Sequence, residues 1–372
     1  MQGSTEPGFE RVADAFEETL AGAQGGAAFA AVVDGRPVVD LWGGTADAES
    51  GRPWDASTAA VIFSGTKGLV AVCVLVLVER GLIEVDEPVA RYWPEFAAAG
   101  KEHVLVRHVL SHTAGVPGLK SSFARDEILD SEAVTARVAA EPPFWPPGEQ
   151  LAYHALTYGW ICGELIRRTD GRSPGRFLAE EVVEPLGLEA WLGLPEELEP
   201  RVATLVARPD FALTVVGDEP APLLSALYGT DDGRFDWNAP EVHRVEIPGG
   251  NAIATARSMA RLYGCLARGG SLDGVTLLRP ETVERGRTEL SRGVCAITRR
   301  PYAFASGFEL TTELGRLGPA PDAFGHTGSG GSTHGAWPSV QTGFSYVMSE
   351  LRPELSDDRG SRLLAALRDA RG

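Results

Sequence analysis

The sequence predicts an α/β (α+β) fold in which strands from both chain ends form one lobe and a mainly helical lobe is inserted between them. Three observations predict it. An Asp34-Gly35 dipeptide joins two β-favouring runs near the start, helical periodicity punctuated by Pro and Gly fills the middle, and strand-like runs return after residue 300. At 372 residues the chain is long enough for one large two-lobed domain. We therefore expect residues 1–372 to form a single domain, with an α/β lobe at about 1–85 and 250–372 and a helical and loop lobe at about 86–249.

Phe9, Val12, Phe16 and Leu20 recur at helical spacing and Gly22 follows as a stop, which predicts a first helix. Residues 27–33 and 37–42 are β-favouring, and Asp34-Gly35 between them is the dipeptide that a type I′ hairpin turn prefers. Residues 64–80 read as a helix ended by Gly81, apolar all round and therefore buried, with Ser-Gly-Thr-Lys in its first turn. Further helices are expected at 154–168 and from Ser173-Pro174, an N-cap followed by proline at the first helical position. Residues 189–250 have weak periodicity and many Pro, Asp and Gly; such a stretch suits a pocket wall, lined by Phe211, Tyr228, Phe235 and Trp237. A helix at 258–268, strands at 305–311, 332–337 and 342–348, and a last helix at 358–368 complete the chain. No internal repeat is evident.

Composition excludes several function classes. A net charge of −17, from 34 basic and 51 acidic residues, with no basic stripe, argues against a nucleic-acid partner. The longest apolar stretch, 69–78, is far shorter than the roughly 20 residues a membrane span needs, so no membrane association is expected. The first residues show no basic segment followed by an apolar one, and a cytoplasmic location is the expectation. Cys73, Cys162, Cys265 and Cys295 are far apart and read as reduced thiols, neither a disulfide framework nor a metal site. His108 and His112 are four apart, but Val109 stands where a HExxH motif has its glutamate, so both read as structural and no metal is expected. There is no dinucleotide fingerprint or P-loop, and no cofactor is expected.

What remains is nucleophilic chemistry. Only three lysines occur in the chain, at 67, 101 and 120, and Ser64-Gly65-Thr66-Lys67 is its one SxxK. Three residues apart on a helix, hydroxyl and amine share a face. A desolvated amine has a lowered pKa and helps remove the serine proton, while the helix N-terminus favours negative charge nearby. Tyr153 follows the turn-rich Trp145-Pro146-Pro147-Gly148 and precedes a helix, where a phenol can reach into a cleft and shuttle that proton. Residues 325–332, Gly-His-Thr-Gly-Ser-Gly-Gly-Ser, bring bare backbone close to a ligand and supply N–H donors.

SxxK, a tyrosine about 90 residues later and an x-Thr-Gly strand near the end together resemble the serine β-lactamase and penicillin-binding-protein superfamily, most nearly class C β-lactamases and family VIII carboxylesterases. The resemblance spans most of the chain and includes Leu110-Ser111-His112-Thr113-Ala114-Gly115, similar to the LxHTxG segment of that group. It implies a β-lactamase/transpeptidase-like fold with an antiparallel sheet flanked by helices. It also implies Ser64 as nucleophile, Lys67 as its proton partner, Tyr153 as general base, and the N–H groups of Ser64 and Ser329 as oxyanion hole. Two positions depart from the pattern. Ala155 stands where lactamases and peptidases of the group have asparagine, and His326, before Thr327 and Gly328, stands where they have a lysine that helps bind the substrate carboxylate.

These departures favour a neutral ester or thioester over a β-lactam or D-Ala-D-Ala substrate. The expected function is a serine hydrolase forming an acyl-enzyme on Ser64, a carboxylic ester hydrolase first. An acyltransferase or amide synthase that passes the acyl group to an amine or alcohol uses the same chemistry and ranks second. A β-lactamase or D-Ala peptidase, or a silent scaffold, ranks lower, because a scaffold has no need of all three reactive side chains. The sequence leaves the oligomeric state open.

Overall fold

The computed structural model describes residues 1–121, 127–211, 235–354 and 356–371. Tyr228, one of the expected pocket-wall aromatics, lies outside the described residues. Among the described residues a ten-stranded sheet organises the fold. In chain order its strands are β1 (Gln2–Thr5), β2 (Gly26–Val33), β3 (Arg36–Asp47), β4 (Arg52–Pro53), β5 (Ser291–Val294), β6 (Pro301–Phe304), β7 (Glu309–Leu310), β8 (Phe324–Thr327), β9 (Thr333–Trp337) and β10 (Thr342–Met348). Their spatial order is β1-β3-β2-β10-β9-β8-β7-β6-β5, with β4 beside β3 and every pair antiparallel. The two chain ends meet where β2 pairs with β10 through seven residues.

The β2–β3 hairpin forms as the Asp-Gly dipeptide predicts, with Asp34 and Gly35 both at positive φ (50° and 80°), as a type I′ turn requires. The expected strand at 305–311 is divided instead. Ala305 N–H bonds back to Phe308 O and Gly307 takes φ 84°, so residues 305–308 are the turn between β6 and β7. Apolar periodicity does not see such a turn, because Ala305 and Phe308 are themselves buried.

Six helices matter for the site: α1 (Glu10–Leu20), α2 (Gly65–Glu79), α3 (Ser131–Ala140), α4 (Thr157–Asp170), α5 (Ala256–Ala267) and α6 (Arg359–Asp369). Strand alternation tells which sheet face each covers. Gly343 on β10 lies so close to Gly264 on α5 that a β-carbon there would come within 2.0 Å of the Gly264 nitrogen, so α5 rests on the Gly343 face. Tyr346, three residues on and so on the opposite face, lies beside Thr19 of α1 and under the Arg359 guanidinium of α6. The sheet is thus sandwiched, which is why all seven residues of β10 are buried.

Helix α2 runs behind the sheet and contacts α4 and β8. Residues 65–77 are all buried, including Lys67, as expected for a helix apolar on every face. Its start is held by a small sheet in which Ala60–Val61 and Ala190–Trp191 flank Ile253–Ala254. The four cysteines are free and buried, and no described helix is long and apolar enough to cross a membrane.

Candidate active site

Ser64 is the N-cap of α2, yet its hydroxyl makes no capping bond; the hydroxyl is directed to other partners. The turn that delivers it is strained. Phe63 adopts φ 47°, a region costly for a bulky residue, and is held there by Thr66, whose N–H and hydroxyl both donate to Phe63 O, and by an edge-on contact of its ring with Trp237 at 5.3 Å. Trp237 in turn packs edge-on to Phe235 at 5.0 Å. Two of the expected pocket-wall aromatics therefore lead to the residue before Ser64, whereas Phe211 packs partly buried against the core.

Three groups expected from the sequence converge on one atom. Lys67 Nζ lies 3.0 Å from Ser64 Oγ, and the Tyr153 hydroxyl donates to the same oxygen at 2.7 Å from the far side, 89 residues along the chain. Lys67 Nζ also donates to Gly249 O at 2.7 Å and sits 5.0 Å from the Tyr153 ring centre. Lys67 is fully buried, and burial pulls its amine down from 10.5 to about 7. Such an amine can both accept and return a proton at neutral pH. Gly249, in a Pro-Gly-Gly run, was not anticipated as its partner; a backbone carbonyl carries no side-chain signal.

The buried amine also makes stability depend on pH. Between about 7 and 10.5 the unfolded chain holds the Lys67 proton and the native chain does not, so native stability rises with pH in that window. Lys67→Met removes the dependence. The melting temperature of the variant relative to wild type is expected to be highest and level below about pH 7 and to fall by about 5 °C or more by pH 10, as read by calorimetry; a constant offset would contradict the buried-amine assignment.

The third segment lies where the sequence places it. His326 and Thr327 end β8, and Gly328 abuts the approach to Ser64: a β-carbon there would come within 2.4 Å of Ile62 O. Ser329 follows and is half-buried. His326 is fully buried and neutral, held well below the usual histidine range first by burial and then by the nearby Lys67 amine. Its Nδ1–H donates to Thr327 O at 2.7 Å. The Thr327 hydroxyl donates to the buried Glu309 carboxylate at 2.9 Å, and Glu309 pairs with Arg316 at 2.7 Å. Glu309 was missed in the sequence, since a strand glutamate normally faces solvent. Ala155 is 4% exposed and packs with Ala152, Cys295, Tyr302 and Phe304. Among the described residues no group of His, Cys, Asp and Glu is placed to hold a metal ion.

A family model described as Beta-lactamase matches residues 12–368. The esterase/β-lactamase LipL of Mycobacterium tuberculosis is 36% identical over 358 residues, covering 93% of this chain and 82% of that protein. Among solved structures, a penicillin-binding protein homologue from Caulobacter crescentus superposes with a TM-score of 0.92 at 38% identity, covering 99% of each chain. A family VIII carboxylesterase superposes with a TM-score of 0.91 at 35% identity, again covering 99% of each chain.

Proposed function

The chain belongs to the β-lactamase family and is a serine hydrolase of that superfamily, and from this premise we propose that it hydrolyses carboxylic esters through an acyl-enzyme on Ser64. The observation that carries the proposal is the convergence of Lys67 Nζ and the Tyr153 hydroxyl on Ser64 Oγ. In the proposed first step the Oγ–carbonyl bond forms as the serine proton passes to the Tyr153–Lys67 pair. Backbone N–H groups of Ser64 and Ser329 hold the oxyanion. The proton then goes to the leaving alkoxide as the ester C–O bond breaks. Water, activated by the same pair, adds to the acyl carbonyl, and collapse of that adduct returns the proton to Ser64.

The third motif supports an ester over a β-lactam or peptide substrate. A substrate carboxylate there would meet a neutral imidazole, not a cation, and the Thr327 hydroxyl proton is already committed to Glu309. Ala155 offers no side-chain amide, and its methyl is packed away. A neutral acyl donor demands none of these contacts.

A side-by-side assay tests the substrate class. The kcat/KM for a p-nitrophenyl ester of a short acyl chain is expected to exceed that for nitrocefin by at least about 100-fold, the scale of losing charge-assisted contacts of about 3 kcal/mol. Comparable values would reverse the ranking. Adding alcohol or amine acceptors to the ester reaction separates hydrolysis from transfer: free acid as the dominant product supports the hydrolase, and an acceptor-dependent acyl product favours the transferase.

A further inference from the structure

The segment Leu110–Gly115 takes no part in the proposed chemistry, yet it forms the bed on which the Tyr153 loop is laid. Three backbone bonds tie the two together: Phe144 N–H to Gly115 O at 2.8 Å, Gly148 N–H to Thr113 O at 2.8 Å, and Ala152 N–H to His112 O at 3.0 Å. Gly115 is glycine for a reason, since it takes φ 79° and a β-carbon would come within 2.3 Å of Trp145 O. At the end of this bed a side chain takes over. His112 Nδ1 accepts the His154 N–H at 3.0 Å, so one residue grips the chain on both sides of Tyr153.

We propose that His112 is a positioning residue for Tyr153, setting the phenol at its distance from Ser64; the inference rests on reading Tyr153 as the base. His112 is completely buried, its ring lies 4.8 Å from the Tyr153 ring, and it adopts φ 59°, a left-handed conformation that lets carbonyl and imidazole face the same neighbouring segment. Such strain at a buried position, with two bonds bracketing one functional residue, is what an over-determined site requires. An acceptor at Nδ1 demands the neutral Nε2–H tautomer. Burial, together with His154, Lys67 and His326 around the ring, keeps the imidazole neutral. Tyr153 is held from its other sides as well: its N–H donates to Cys295 Sγ at 3.3 Å, and its ring stacks on Tyr302 at 5.7 Å with planes 5° apart. His112 bonds the chain on both sides of it, through Ala152 and His154.

Kinetics of His112→Leu, His112→Asn, His112→Gln, Tyr153→Phe and the double variant His112→Leu/Tyr153→Phe on one ester test this. Misplacing a reacting group by about an ångström costs about 10²-fold. His112→Leu should therefore lower kcat by that amount with KM changed less than about threefold. Asparagine tolerates the left-handed backbone and carries its amide oxygen on the same carbon as Nδ1, so His112→Asn should recover at least about tenfold over His112→Leu and over His112→Gln, whose amide lies one bond too far. Because His112 acts through Tyr153, the double variant should lie within about threefold of Tyr153→Phe. Wild-type kcat in His112→Leu, equal loss in the Asn and Gln variants, or losses that multiply in the double variant would overturn the proposal; where His112→Leu does not fold, Asn against Gln decides. Loss in Tyr153→Phe with none at His112 removes this inference alone, whereas Tyr153→Phe at wild-type rate removes the base assignment and this inference with it.

Discussion

Ser64→Ala is expected to lower kcat/KM for ester hydrolysis by on the order of 10⁵-fold while leaving the melting temperature within a few degrees of wild type. The size follows from the covalent route. Without Oγ no acyl-enzyme forms, and what remains is the contribution of bound, oriented substrate and oxyanion donors. The small effect on stability follows from the geometry. The Ser64 hydroxyl does not cap α2, so its loss frees only the bonds from Lys67 and Tyr153, and the helix start stays fixed by Thr66, whose hydroxyl also accepts Ala252 N–H at 3.0 Å. Steady-state assays with a melting curve on the same preparation check both halves. A variant retaining more than about a hundredth of wild-type activity would show that another group carries the acyl transfer.

Tyr153→Phe should cost about 10³-fold in kcat/KM, within the range of a positioned general base, with little change in KM. The phenylalanine ring keeps the stacking on Tyr302 and Phe304, so the loss reports the hydroxyl and not the packing. The wild-type pH profile carries the complementary signature. With the Lys67 amine near 7, kcat/KM should rise about tenfold per pH unit below that value, as the proton acceptor is released, and level off above it. A flat profile from pH 5 to 9, or a Tyr153→Phe enzyme with wild-type kcat, would remove the Tyr153–Lys67 pair from the proton path.

Local chemistry made part of this site legible in the sequence. Ser64 and Lys67 lie one helical turn apart, so helix geometry alone brings them together, and the Asp34-Gly35 turn and the apolar run of α2 place that helix in a sheet-bearing core. Tyr153 was a weaker candidate until the family resemblance singled it out, because its meeting with Ser64 spans 89 residues and no local rule predicts it. The rest depends on contacts that residue type does not announce. Gly249 acts through a carbonyl, Glu309 is drawn inward by Arg316, and His112, read from sequence as merely structural, matters for what its ring nitrogen accepts. Strands β1, β4, β5 and β6 were not expected. Gln2–Thr5 and Ser291–Val294 are polar or exposed edges without the alternation by which a strand is recognised, Arg52–Pro53 is two residues long, and Pro301–Phe304 opens on a proline and buries its other three residues, so it shows no alternation either.

Passage of the acyl group through Ser64 is read out by stopping the reaction with a slowly deacylated ester and mapping the mass increment by peptide mass spectrometry. One acyl group per chain is expected, on the peptide carrying Ser64 and absent from Ser64→Ala. Rapid turnover with the acyl group on a different residue, or an adduct that persists in the alanine variant, would contradict it.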